Sequence, residues 1–157
     1  EALRDLLREC PELLASDTER SILIRAYDNN RELLPWLLDQ GVPADQSEQT
    51  YALLMHVAAH GDADTAGLLL ERGADPNALN DMGETAFGYA CALNKPEVAR
   101  VLYEHGADLN YLEPDGHTPL DLAKFDASEE FYDWLLSIGC VHNTWEPGWV
   151  GGRHENT

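Results

Sequence analysis

Four stretches of the chain place apolar residues at steps of three and four and then stop at a glycine. They read "ELLPWLLDQG", "TAGLLLERG", "EVARVLYEHG" and "EFYDWLLSIG". Such steps put the apolar residues on one face of a helix. The closing glycines are Gly41, Gly73, Gly106 and Gly139; the last two intervals are equal and the first is shorter by one. At a helix end, glycine takes the left-handed conformation without the strain a Cβ brings. A near-constant period of this length signals stacked units, none of which can bury its apolar face alone.

The polar halves of the units repeat as well. "MGETAFGYAC" begins nine residues after Gly73, and "DGHTPLDLAK" begins nine residues after Gly106. Gly83 and Gly116 are therefore equivalent turn glycines. Thr85 and Thr118 follow as helix caps, each able to accept a backbone N–H. Pro119 suits the first helical position, where its missing N–H leaves nothing unpaired. Ala90 and Ala123 lie in the short helices and permit close helix approach. Each unit thus reads turn, short helix, loop, longer helix, and the periodicity predicts an all-α solenoid with one continuous core.

The pattern G-x-T-P-L-x-x-A, a Leu-rich helix and then G-A-D-x-N resembles the ankyrin repeat. It reads here as "DGHTPLDLA" and "GADLN", with "MGETAFGYA" and "GADPN" as a looser copy. The resemblance covers about residues 17–145. It divides a single 1–150 domain into repeats over 17–45, 46–78, 79–111 and 112–145. "LRDLLRECPELL" at 3–14 is similar to the second helix of a preceding partial repeat, giving an N-terminal cap over 1–16; residues 146–157 are expected to form a C-terminal cap or tail. "MHVAA" at 55–59 fits the family's L-H-x-A-A, which sets His56 at the usual His position. The shorter first interval then reflects a residue missing from the loop at His60–Gly61, and the turn Gly and Thr positions fall on Tyr51 and Leu53. The resemblance implies helix pairs with hairpin fingers at the repeat junctions, and a concave face of fingers and short helices that binds protein. Asn77 and Asn110 are expected to tie their hairpins by side-chain hydrogen bonds to backbone.

Charge narrows what such a scaffold holds. Twenty-nine acids against ten bases give a formal net charge of −19 on 157 residues. That disfavours nucleic acid, whose phosphates attract Lys and Arg, and anionic membrane surfaces. A basic protein would be steered in quickly, although acidity also serves plain solubility. Apolar residues make up 44% of the chain, enough for a packed core. No apolar run approaches the roughly 20 residues of a membrane span. The chain starts at Glu1 and not at Met, so the absence of a leader proves little. Cys10, Cys91 and Cys140 form neither a disulfide framework nor a CxxC site, which points to cytosolic thiols and a cytoplasmic monomer. Cys91 reads as a small buried hydrophobe.

No catalytic constellation stands out. His56 and His60 have the i, i+4 spacing of a zinc pair, without the Glu of HExxH or a third ligand. Phosphate-cradling glycine motifs and a nucleophile elbow are absent from the sequence. Acid pairs such as Asp62–Asp64 and Glu129–Glu130 suit a solvated face. "DMGE" and "EPDGH" lack the spaced ligands of an EF-hand. His105 and His117 flank repeat glycines, either as surface residues or as pH-sensitive ones. No catalytic residue, cofactor or metal is expected.

Binding specificity in a solenoid belongs to exposed positions outside the repeat pattern. On one finger these are Leu79, Asp81, Met82 and Glu84; on the next, Leu112, Glu113, Asp115 and His117. The short-helix ends add His60, Leu93, Phe125 and Asp126. Apolar residues rimmed by acids suit a protein interface. Leu79 and Leu112 can equally pack between adjacent fingers. Trp145 takes the next finger position and Trp149 follows; they either cap the last helix pair or form a binding hot spot. The function expected is non-catalytic protein binding. One version is an acidic inhibitor, such as an immunity protein or antitoxin, that plugs a toxin's basic cleft. Others are a general scaffold fragment and an enzyme with an unfamiliar site.

Overall fold

The computed structural model describes residues 22–44 and 50–143. The N-terminal helix expected at 3–14, Cys10, Trp145 and Trp149 lie outside these residues. The described residues form eight helices and no strand. They are α1 (Ile22–Asn29), α2 (Leu33–Asp39), α3 (Thr50–His60), α4 (Ala63–Glu71), α5 (Ala86–Ala92), α6 (Pro96–Glu104), α7 (Pro119–Ala123) and α8 (Glu129–Ser137). The pairs α1–α2, α3–α4, α5–α6 and α7–α8 stack, so that α1, α3, α5 and α7 touch in succession and α4 lies against α6.

The predicted apolar faces meet along this stack. Leu34, Leu37, Leu54, Val57, Leu69, Phe87, Leu102, Leu120, Phe131 and Leu135 are buried in one continuous core. Ala90 and Ala123 are buried between short helices, as close approach requires. Cys91 is buried on α5, and burial raises its thiol pKa; Cys140 is buried too and pushed up to about 11.

The caps follow the sequence. Thr85 Oγ1 accepts from Gly88 N at 3.0 Å, and Thr118 forms a capping box with Asp121. Gly73, Gly106 and Gly139 stop their helices at φ of +93°, +86° and +99°. The fingers are tight turns with a single antiparallel bridge between Leu79 and Thr85. They stack on each other, because a Cβ on Gly83 would lie 2.6 Å from Pro114 Cγ.

Hydrogen bonding corrects the repeat register. Gly61 N bonds to Ala58 O and Asp62 N to Val57 O, while Asn94 N bonds to Cys91 O and Lys95 N to Ala90 O. Gly61 and Asn94 both have positive φ, +75° and +50°. These are the same helix stop in successive repeats, separated by the full interval found between Gly73 and Gly106, so no residue is missing at His60–Gly61. The shortfall lies between Gly41 and Val57. It follows that Met55, not His56, stands with Gly88 and Asp121 at the family's His position, and that His56 stands with Tyr89 and Leu122. Counted in this register, α3 also starts three residues earlier than α5, at Thr50 instead of the position matching Ala86.

Asn77 and Asn110 act between repeats. Asn77 Nδ2 donates to Gly106 O at 3.1 Å, and its Oδ1 accepts from Asp108 N at 2.6 Å. Asn110 does the same to Gly139 O at 3.1 Å and Val141 N at 2.7 Å. The turns themselves are closed by Asp75 and Asp108, which accept from Asn77 N and Asn110 N. Asn77→Ala should therefore cost about 1–2 kcal/mol in a urea titration, as two net hydrogen bonds would. A cost below experimental error would show that water replaces both bonds.

Candidate interaction surface

Six of the candidate residues fall in two series of repeated positions. His60, Leu93 and Asp126 occupy equivalent places in successive repeats, just at or beyond the ends of α3, α5 and α7. Leu79 and Leu112 are equivalent in successive fingers, and the next place in that series is Trp145. Because the short helices touch and the fingers stack, the described members of each series form a row across the repeats.

The apolar members are exposed. Met82 is 64% and Phe125 77% exposed, and Leu79, Leu93 and Leu112 are exposed as well. Leu79 and Leu112 are thus not enclosed between fingers. Asp81, Asp115, Asp126 and His60 are also at the surface or nearly so. The structure therefore sets exposed apolar side chains among carboxylates.

Several polar candidates are engaged within the protein. Glu84 is half-buried; its Oε2 accepts from Asn80 Nδ2 at 2.7 Å and from Tyr89 OH at 3.2 Å. Asp115 accepts from His117 N at 3.0 Å and lies 3.0 Å from His117 Nδ1. The backbone bond from His117 is the main reason its carboxyl is held below the usual range. Glu113 does not belong to the surface. It is 5% exposed, folded beneath its own finger, and is corrected from a partner-facing residue to an internal one.

His56 and His60 each have a hydrogen-bond partner within the protein. His56 Nε2 lies 2.9 Å from Asp28 Oδ1, and His60 Nδ1 lies 2.7 Å from His56 O. Their rings lie 4.4 Å apart, and Tyr27 meets both edge-on. Arg31 covers the Tyr27 ring at 4.2 Å and pairs with Asp62 at 2.6 Å. Among the described residues no group of three His, Cys, Asp or Glu could hold a metal ion.

Sequence reasoning missed Val141, Tyr103 and Leu136, which are large apolar residues at the surface. Val141 was legible, since it stands where the earlier repeats have Asp75 and Asp108. Tyr103 and Leu136 are equivalent positions on α6 and α8, and a Leu-rich helix gives no local sign of which leucine faces water.

These rows lie in the segment that matches known proteins. The family described as ankyrin repeats (3 copies) matches residues 54–144, more than half of the chain. The chain belongs to the ankyrin-repeat family. An ankyrin repeat-containing protein of Treponema pallidum (strain Nichols) is 40% identical over 57 residues, which are 35% of this chain and 19% of that protein. The chain therefore matches about a fifth of that relative's length. Ankyrin repeats form protein–protein interaction modules and are typically non-catalytic. No helix among the described residues is long and apolar enough to cross a membrane.

Proposed function

We propose that the finger and short-helix rows dock a basic protein, and that this ankyrin domain acts as an acidic inhibitor of the immunity-protein or antitoxin kind. The observation that carries the reading is the placing of Met82, Leu93, Leu112 and Phe125, all exposed, among Asp81, Asp115 and Asp126. Apolar anchors supply affinity at the centre of an interface, and surrounding charge supplies steering and selectivity. A net charge of −19 favours a cationic partner, and carboxylates presented to a basic cleft would stand in for substrate phosphates.

The test is a pull-down from the native source followed by binding measurements on the captured protein. Association should slow at least about tenfold between 50 and 500 mM salt, because Debye screening removes the steering. A complex indifferent to salt supports a general scaffold instead. Alanine at Met82, Leu112 and Phe125 should each weaken binding, with at least one reaching about 2 kcal/mol, the size of an interface hot spot. If all three leave affinity unchanged, the docking face lies elsewhere.

A further inference from the structure

Glu113 and Asn80 hold the same place in successive fingers. Asn80 closes its finger in the ordinary way. Its Oδ1 accepts from the backbone N–H groups of Met82 and Glu84, both at 2.9 Å. A glutamate is one methylene too long for that turn. Asp115 supplies the side-chain bond in the second finger, accepting from His117 N at 3.0 Å. The Glu113 side chain is left to fold back against the start of α5.

There it enters a space made by a glycine. A Cβ on Gly88 would lie 2.3 Å from Glu113 Oε1, and the equivalent place on α7 holds Asp121. Oε1 is buried and has no hydrogen-bond partner among the described residues. The groups that face this carboxyl are Glu84, Thr85, Tyr89 and Cys91 from the preceding repeat, and Asp115 and His117 from its own finger. Among the described residues no Lys or Arg is one of them. Glu84 and Asp115 repel a negative charge here, whereas a Thr85 backbone hydrogen bond and His117 favour it.

We propose that Glu113 is a proton-controlled latch: its neutral carboxyl holds the finger at 112–118 down on α5, and ionisation sends the side chain to water and loosens the finger. A neutral carboxyl tolerates a dry site in which one oxygen lacks a donor, whereas a carboxylate there is strongly disfavoured. Burial is the largest influence on the group and pushes its pKa up to about 7, against 4.5 ordinarily. The latch stands on the packing of the finger and does not depend on the proposed partner.

Amide hydrogen exchange of the whole chain, corrected for the intrinsic effect of pH, tests it. The reporters are Gly116 N–H, bonded to Glu113 O at 2.8 Å, and Glu113 N–H, bonded to His117 O at 3.0 Å. Their protection should fall about tenfold from pH 6 to pH 8, as release of one proton from a group of pKa near 7 dictates. Glu113→Gln should abolish the fall, and Glu113→Asn, which copies the Asn80 turn, should abolish it independently. His117→Gln should retain it. The matching amides of the other finger, Gly83 and Asn80, should not respond. Unchanged wild-type protection, a fall that persists in both Glu113 variants, or one that vanishes in His117→Gln would overturn the latch.

Discussion

Phe87→Ala should lower stability by about 3–5 kcal/mol, the usual result of emptying a fully enclosed aromatic site. Phe87 is completely buried on α5, and α5 touches α3, α6 and α7. The helix that carries it therefore takes part in three interfaces, two of them between repeats. In a solenoid each unit depends on its neighbours, so a central cavity weakens coupling as well as total stability. Trp36 lies on α2 and Trp134 on α8, in the first and last described helix pairs. Single-tryptophan variants that keep one or the other report on opposite ends. In the parent chain their urea transitions should coincide; in Phe87→Ala they should separate, with one end melting earlier. Leu112→Ala is the matched surface control and should stay within about 0.5 kcal/mol. Coincident transitions and a loss under about 1 kcal/mol would mean that the core closes over the cavity.

The architecture was legible because repetition multiplies weak signals. One glycine after one Leu-rich run says little, but four at near-constant spacing fix the stops of α2, α4, α6 and α8. Thr85 and Thr118 were legible for the same reason, and both cap as their types require. The register of α3 was not legible. "MHVAA" fits the family string in one frame, and only the bonds to Val57 O and Ala58 O set Gly61 level with Asn94. An asparagine with positive φ can replace glycine at a helix stop, so aligning glycines alone misses the pair.

Asn77 and Asn110 show a second limit. Their type announces side-chain hydrogen bonds to backbone but not which backbone, and the partners lie 29 and 31 residues away. Glu113 shows a third. A charged residue in a finger reads as exposed, since glutamate is almost never fully buried without a partner. Two departures from the pattern signal otherwise. Asn80 is replaced by a longer side chain, and Gly88 removes the side chain from the facing helix. Neither means much alone; together they describe a carboxyl and the space that receives it.

The stability of the chain should itself carry the mark of that carboxyl. Glu113 has a folded pKa of about 7, above its ordinary 4.5, so between these values the folded chain holds a proton that the unfolded chain has released. Stability from this group is fully present below about pH 4.5 and is lost as the pH rises through about 7. The difference amounts to about 3 kcal/mol at most, and finger opening reduces it by giving the carboxylate a route to water. Glu113→Gln removes the titration while keeping the shape. Subtracting the two stability curves should therefore leave a component that favours the variant progressively from pH 5 to pH 8. Asp62, Asp115 and Asp121 have lowered pKa values and act in the opposite sense, losing their contributions only as the pH falls below about 4. The two effects occupy separate ranges, and the subtraction cancels those aspartates. Urea denaturation at half-unit steps of pH resolves the curve. A flat difference would mean that Glu113 is solvated in the folded chain, and a difference that grows toward acid would mean that its carboxylate is stabilised there by a donor.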